Sequence, residues 1–220
     1  LAPSEVELAQ EIEYTVKYKN NSSVVLEETK LIFEYPEGSI LEEGKSLRQE
    51  MNLEDIYPGE ERTISFKARL LGRENETRTA KAILSWRPKN LKARYESTTT
   101  HTAQIKFVPL TFEFDFPSKM EAGRDLGLRI NYFSNASYPL PNLRVKMEYP
   151  SGFQFLGSTP RGLNQDEWEI GLLNKAEGGR IEIRGSFSGE IFAQKIFKAQ
   201  LISWQGDKGI ILREIVKGLE

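Results

Sequence analysis

The sequence contains no cysteine, only one histidine and no long apolar run. The lack of cysteine excludes disulfide bonds, thiolate metal ligands and a cysteine nucleophile. His101 has no second histidine with which to hold a zinc ion, and no Gly-x-Ser-x-Gly motif provides a serine for it to activate. We therefore expect His101 to be a surface residue of its threonine-rich strand, and we expect no direct membrane insertion.

Neither positive nor negative charge predominates. The 220 residues include 30 Lys and Arg against 32 Asp and Glu, a net charge of -2. Nucleic-acid binding driven by counterion release is therefore not expected. The chain also has no Gly-rich phosphate loop and no dense Asp/Asn cluster of the kind that binds calcium. The sequence predicts no catalytic residue, no cofactor and no metal site, and we expect the protein not to be an enzyme.

The main feature that is present is an internal repeat. The segment FEYPEGS at 33–39 returns as MEYPSGF at 147–153, an offset of 114 residues. The flanking positions match at the same offset, including Pro3 and Pro117, Tyr18 and Tyr132, Asn21 and Asn135, Leu26 and Leu140, Val16 and Ile130, and Leu31 and Val145. A repeat of this length predicts two copies of one domain, because it is too long for a solenoid.

Further along the chain the offset grows, as small loop insertions would cause. It is 117 where Ile56 matches Leu173 and Phe66 matches Ile183, and 118 where LSW at 84–86 matches ISW at 202–204. The predicted domains are residues 1–109 and 110–220. Their junction contains no Gly/Ser tract and includes Pro109, which predicts a short, stiff connection.

Apolar residues alternate with polar ones in both copies. The alternation runs through Ile12, Tyr14, Val16 and Tyr18 in the first copy, and through Leu126, Leu128, Ile130 and Tyr132 in the second. Such a period of two is typical of a strand with one buried face. The stretches are short and bounded by Gly, Pro, Asn or Ser, and no window carries a capped helical stripe. The sequence therefore predicts an all-β protein of two tandem immunoglobulin-like β-sandwiches.

Two features are expected at equivalent places in both sandwiches. The repeated Tyr-Pro-x-Gly segment is typical of a type I turn, with proline at the second position and glycine at the fourth. Trp86 and Trp204 are predicted to fill matching core positions. The alternative for the tryptophans is an exposed ligand platform.

Four Asn-x-Ser/Thr sequons are present, at Asn20, Asn21, Asn75 and Asn135. Three of them lie in the equivalent Asn-Ser turns. Asparagine tolerates left-handed backbone and hydrogen-bonds to nearby backbone groups, which already accounts for these three. Glycosylation is a second explanation.

Short motifs also recur along the two copies. They are the Asn-containing turns after Tyr18 and Phe133, the Pro-x-Gly corners, WEIGLL at 168–173 and Pro-Gly-Glu at 58–60. With these motifs the chain resembles the conserved-repeat immunoglobulin-like domains of prokaryotic surface proteins, a family long labelled a domain of unknown function. Each copy departs from the family pattern, since the first has Met51 in place of Trp168 and the second has Lys-Ala-Glu at 175–177. The resemblance implies an extracellular or cell-surface location.

The two copies differ at their N-terminal ends. The second has LTFEFDF at 110–116, a strongly alternating segment, in front of Pro117, whereas only Leu1 and Ala2 stand in front of Pro3. We expect a preceding part of a longer chain to supply the opening strand of the first copy. The alternative is an edge left open to strand addition.

The expected function is that of a non-enzymatic structural module, a spacer that extends or presents other domains of a larger cell-surface or secreted protein. Its partners would be the neighbouring domains of the same longer chain. The alternative is an adhesion module that binds a surface glycan or a protein. Its candidate contacts are Tyr138, Phe153, Phe155 and Trp168, where the first copy has Val24, Ser39, Leu41 and Met51. Exposed aromatic residues would favour binding, and inward-facing ones would only repack the core.

Overall fold

The computed structural model describes residues 1–117, 119, 125–187 and 195–219. The strands of the first copy are β1 (Glu5–Glu7), β2 (Glu11–Lys19), β3 (Leu26–Glu34), β4 (Ser39–Ile40), β5 (Arg48–Asn52), β6 (Glu61–Leu70), β7 (Thr77–Pro88) and β8 (Tyr95–Phe107). Those of the second are β9 (Leu110–Asp115), β10 (Leu126–Ser134), β11 (Leu140–Glu148), β12 (Phe153–Thr159), β13 (Glu167–Leu173), β14 (Gly178–Phe187), β15 (Lys195–Gln205) and β16 (Lys208–Leu219). All regular structure in the described ranges is strand, which confirms the all-β prediction, and no helix there could cross a membrane.

The chain forms two compact units, Leu1–Phe107 and Val108–Glu220. Each is an immunoglobulin-like β-sandwich. In the first, a five-stranded sheet of order β1-β8-β7-β3-β5 packs on a three-stranded sheet of order β2-β6-β4. In the second, the four-stranded sheets have the orders β13-β11-β15-β16 and β12-β14-β10-β9. The repeat alone had suggested a boundary after residue 109.

The hydrogen-bonded ladders repeat from one unit to the other. Strand β2 pairs with β6 as β10 pairs with β14, and β3 pairs with β5 as β11 pairs with β13. Equivalent partners are Val16–Ile64 and Ile130–Ile181 in one ladder, and Leu31–Met51 and Val145–Trp168 in the other. These pairs confirm the sequence offsets of 114 and 117 as spatial equivalences.

An irregularity inside a strand is repeated too. Glu28 of β3 and Asn142 of β11 both have a φ of 52°, and both lie where the ladder register shifts. A left-handed conformation is uncommon for residues other than glycine. Its recurrence at matched positions means that the two units share backbone detail as well as apolar pattern.

The prediction that Trp86 and Trp204 fill matching core positions is wrong. Both side chains are half-buried, and they lie on opposite faces of their strands. In β7, Trp86 shares the core-facing side with the buried Ala82. In β15 the core-facing side carries Leu201 and Ser203, both 0% exposed, so Trp204 lies on the outer side.

The cause of this error is one residue of register. Leu31 pairs with Leu84, and Val145 pairs with Leu201, so the offset along this strand is 117 and not the 118 that aligned the two LSW-like segments. Since side chains alternate between the faces of a strand, a slip of one residue moves every side chain to the other face. Aligning the two segments by their sequence identity therefore paired residues that do not occupy equivalent positions in the two units.

The first unit is held together by an aromatic stack between its two sheets. Phe33 of β3 and Phe66 of β6 lie parallel, with ring centroids 4.1 Å apart and an interplanar angle of 5°. Tyr14 and Tyr35 flank Phe33 at centroid distances of 5.4 and 4.8 Å. Rings of this size dominate the burial of apolar surface in a core. The stack thus joins the sheets at the centre of the sandwich.

The repeated Tyr-Pro-x-Gly turn closes differently from the prediction. In both copies the amide after the glycine donates to the proline carbonyl, at 3.3 Å from Ser39 to Pro36 and 3.2 Å from Phe153 to Pro150. The glycine is therefore the third residue of the turn and not the fourth. Its φ is 78° in the first copy and 83° in the second, values that favour glycine. The prediction of a type I turn with glycine at the fourth position is wrong.

The change Gly38→Ala is expected to lower the free energy of unfolding of the first unit by about 2–3 kcal/mol. The new side chain would adopt an unfavourable positive φ, and its Cβ would lie 2.8 Å from the backbone oxygen of Leu71. Gly44→Ala is the matched control, since Gly44 has a φ of 80° with no atom within 4 Å of the added Cβ. It should cost only about 1 kcal/mol in the same urea titration. Equal losses would contradict the importance of the Leu71 contact.

Candidate functional site

Phe153 and Phe155, two of the residues predicted to contact a ligand, lie on β12 in a cluster of aromatic rings. Phe153 stacks on Tyr149 with centroids 4.6 Å apart, and Phe155 lies 6.3 Å from the same ring. Phe187 and Phe197 meet Phe153 edge-on at 5.5 and 5.3 Å. These five residues are called the aromatic cluster below. Phe153 and Phe155 are half-buried, so the cluster both fills the end of the sandwich and presents part of its surface to solvent.

A glycine makes room for the cluster. A Cβ atom on Gly185 of β14 would lie 2.1 Å from Cζ of Phe153 and 2.7 Å from the backbone oxygen of Gln154. No side chain fits there without displacing the ring or the strand. Gly185 was not among the residues predicted from the sequence. A glycine within an alternating strand is the signal that could have identified it, because such a glycine often marks a close approach.

Tyr149 is a further member of the aromatic cluster that was not predicted from the sequence. Its hydroxyl donates a hydrogen bond to the backbone oxygen of Gln165 at 2.7 Å. Burial raises the pKa of Tyr149, and the negative charge of Asp166 raises it further. The hydroxyl therefore stays neutral and serves as a fixed donor that ties the turn after β11 to the segment before β13. Tyr149 lies in the repeated Tyr-Pro-x-Gly segment, and this repetition is the sequence feature that could have identified it.

Trp168 does not face solvent. It is 1% exposed and pairs across the ladder with Val145, which is also buried. The indole Nε1 donates to Oγ of Ser158 on β12 at 3.0 Å. Trp168 therefore fills the core and links two strands of opposite sheets, and the structure contradicts its prediction as a surface ligand contact. The apolar environment rather than a ligand accounts for a large ring at this position.

Tyr138 is not brought together with Phe153 and Phe155. It lies in the turn at 135–139, which precedes β11, whereas the aromatic cluster begins with the turn that follows β11. The nine residues of β11 span about 30 Å in extended conformation. Tyr138 is half-buried. The four predicted contacts thus divide into a pair on β12, one core residue and one residue at the far end of β11.

The aromatic cluster offers ring faces and edges together with one hydroxyl that is already engaged. Such a surface suits stacking against flat or apolar groups. In the described part of the chain, no group of three or more His, Cys, Asp or Glu side chains is arranged to hold a metal ion. The rings of the cluster can contribute to binding through their contact area and shape.

A second feature is a groove in the first unit between β2 and β8, with a volume of about 270 Å³. Its lining includes Tyr14 and Val16 of β2, Ala82 of β7 and His101 of β8. The His101 ring is half-buried, lies 6.2 Å from the Tyr14 ring, and has Nε2 3.0 Å from the backbone oxygen of Pro3. His101 therefore lines the groove, whereas the sequence had suggested an ordinary surface position.

No protein-family model matches the chain, and the comparison with curated proteins finds no match. Similar solved structures include red sea bream transglutaminase, which is 9% identical with a TM-score of 0.41 over 97% of this chain and 30% of that one. Native Escherichia coli α2-macroglobulin is 10% identical with a TM-score of 0.40, over 100% of this chain and 16% of that one. This chain thus spans only a minor part of either protein.

The C-terminal domain of the AgI/II polypeptide BspA from Streptococcus agalactiae is also similar. It is 7% identical with a TM-score of 0.36, over 99% of this chain and 95% of that one. Identities and TM-scores this low are no basis for assigning a function.

Proposed function

We propose that this chain is a non-enzymatic structural module, a tandem pair of immunoglobulin-like domains that extends or presents other domains of a larger cell-surface or secreted protein. The observation that supports the proposal is the repetition of the ladders, in which β2–β6 and β3–β5 recur as β10–β14 and β11–β13. Each unit has its own buried core. Duplication of a self-contained sandwich lengthens a protein without requiring a new activity, because function resides in specific sites and not in the fold.

The mechanism of such a module is geometric. Strand β8 has 13 residues and therefore spans about 40 Å. A sandwich built on strands of this length can separate the regions attached to its two ends by a few nanometres. The partners would be the neighbouring domains of the same longer chain. An extracellular or cell-surface location, and membership of the conserved-repeat immunoglobulin-like family, are parts of this proposal.

Replacement within the longer protein tests the spacer function. Exchanging these 220 residues for an unrelated tandem immunoglobulin pair should preserve antibody access to the adjoining domain on intact cells, whereas deleting them should reduce it. The reason is that a spacer acts through length and not through its own surface. Loss of access after the exchange, with normal surface expression, would contradict the proposal.

The second candidate is an adhesion module, which the half-exposed Phe153 and Phe155 favour. Its ligand would be a glycan or a protein that stacks on the aromatic cluster. A glycan-array or pull-down signal that Phe155→Ala abolishes, with the fold intact, would support this function over the spacer. Phe107→Ala is a suitable control, because Phe107 is 55% exposed and belongs to the first unit.

A further inference from the structure

The outer edge of β2 in the first unit forms backbone hydrogen bonds at only one residue, Thr15. The terminal ammonium nitrogen of Leu1 donates to the backbone oxygen of Thr15 at 2.7 Å, and the Thr15 amide donates to the Leu1 oxygen at 2.7 Å. Backbone groups of an antiparallel strand point alternately to its two sides, so Lys17 and Lys19 direct their N–H and C=O groups to the same edge. Among residues 1–117, all of which are described, no strand pairs with that edge beyond Thr15.

The second unit has a whole strand at the equivalent edge. Strand β9 pairs with β10 from Asp115 opposite Arg129 to Leu110 opposite Ser134. Arg129 is the counterpart of Thr15 at the offset of 114, so Leu1 stands where Asp115 stands. The first unit therefore contains the start of the same pairing in the same register.

The exposure of the side chains on β9 and on its neighbouring strand shows which part of the core β9 covers. Its inward side carries Leu110 and Phe112, which are 5% and 6% exposed. On the neighbouring strand β10, Ile130 is 0% exposed, whereas Val16, its counterpart in the first unit, is only half-buried. The side chain at this position is thus apolar in both units but fully covered in only one.

Strand β8, on the other side of the groove, is also more exposed than β16 is in the second unit. In the second unit β9 also lies against β16, where Ile210 and Leu212 are buried. In the first unit all side chains of β8 at 95–100 are exposed, on both faces of the strand. Thr99 and Thr100 of this stretch line the groove described above, together with residues of β2. One of its lining groups, the Tyr14 hydroxyl, is buried and has no hydrogen-bond partner among the described residues.

We propose that this groove is the seat of an additional β-strand, antiparallel to β2, formed by residues on the N-terminal side of Leu1 in the longer chain. The strand pairs with Lys17 and Lys19 through its backbone and places apolar side chains into the groove at alternate positions, opposite Val16 and Tyr18. Those are the positions that Phe114 and Phe112 occupy opposite Ile130 and Tyr132 in the second unit.

The position of Leu1 favours a strand of the same chain over a strand from a second copy. Its backbone is already in the antiparallel register with Thr15, so the preceding residue continues directly along the unpaired edge. A strand from a second copy would have to end beside Leu1, which occupies the first pairing position. Addition in cis also avoids the loss of translational freedom that a separate partner incurs.

Amide hydrogen exchange tests the proposal directly. The longer chain, with its residues in front of Leu1, is compared with the chain that begins at Leu1. The amides of Lys17 and Lys19 should exchange at least tenfold more slowly in the longer chain, because a ladder hydrogen bond protects an amide until the strand opens. The amide of Lys146, on β11 of the second unit and paired in the ladders already described, should not change.

A designed extension tests the side-chain requirement. Adding Leu-Thr-Phe-Glu-Phe in front of Leu1, a copy of residues 110–114, should give the same tenfold protection, and Leu-Thr-Ser-Glu-Ser should give much less. Equal exchange in the longer and shorter chains would overturn the proposal. So would protection that appears in the shorter chain as its concentration rises, because the occupant would then be a second copy.

Discussion

Replacing Trp168 with alanine is expected to lower the free energy of unfolding of the second unit by about 3–5 kcal/mol. The indole is 1% exposed, and its removal leaves a cavity opposite Val145 that a packed sandwich cannot close. The change also leaves the Ser158 hydroxyl without the donor that lies 3.0 Å away. Urea titration followed by the amide NMR signals of each unit measures the loss separately for the two units.

The matched control is Trp204→Ala, the same chemical change at a half-buried site. Trp204 lies under the guanidinium of Arg144, which is 5.5 Å from the ring centroid. A partly exposed contact of this kind contributes about 1 kcal/mol or less. Trp168→Phe keeps most of the volume and should cost less than Trp168→Ala, so a variant that still folds is available. If Trp168→Ala and Trp204→Ala were equally mild, Trp168 would not be the core residue described above.

The second large effect is expected for Asn20→Ala, which should destabilise the first unit by about 2–4 kcal/mol. Asn20 is 1% exposed, and its Nδ2 donates to the backbone oxygens of Val24 at 2.8 Å and Ile56 at 2.9 Å. Its Oδ1 accepts hydrogen bonds from the amide and the hydroxyl of Ser22. Alanine would remove all four hydrogen bonds, although the Ile56 oxygen would keep the Leu26 amide as a donor and the Val24 oxygen would keep the Ser22 hydroxyl. The loss of several hydrogen bonds at one buried side chain accounts for the size of the expected effect.

Asn21 provides the control within the same turn. It is exposed, so Asn21→Ala should change the free energy of unfolding by no more than about 0.5 kcal/mol. Asn20→Ser should fall between the two, because Ser134 occupies the equivalent place in the second unit and its Oγ accepts from the Ala136 amide at 3.2 Å. Thermal or urea unfolding of the three variants would contradict this ranking if Asn21→Ala were the most damaging.

Burial distinguishes Asn20 from the other three sequon asparagines, although all four share the same sequence pattern. A glycan on Asn20 is incompatible with the folded first unit, since its amide nitrogen donates two backbone hydrogen bonds inside the turn. Asn21, Asn75 and Asn135 are exposed. The turn chemistry therefore explains Asn20 fully, and only the other three sequons could carry a sugar.

The duplicated sandwich could be predicted from the sequence because its signals are local. Alternation along Ile12, Tyr14 and Val16 requires only that one face of a strand be buried. The offset of 114 is read from the chain itself, and the ladders between Val16 and Ile64 and between Ile130 and Ile181 confirm it in space. The opening strand, present as β9, was likewise apparent from the alternation of LTFEFDF.

The candidate site could be predicted only in part. Phe153 and Phe155 were selected as aromatic residues that the first copy lacks, and they do share one cluster. Trp168 was selected on the same ground, but whether a ring faces solvent depends on the sheet packed over it. Gly185 contributes by the absence of a side chain, so its role emerges only when the Phe153 ring is seen above it.

That the chain is all-β and duplicated follows from its sequence, because apolar period and repetition are properties of the chain alone. Which face each residue occupies, and how deeply it is buried, depends on how the strands pair and pack. Trp86 and Trp204 demonstrate the reason, since one residue of register separates the inner face from the outer one. The register of a strand and the burial of its side chains are set by the neighbouring strands, so they cannot be read from the sequence of that strand alone.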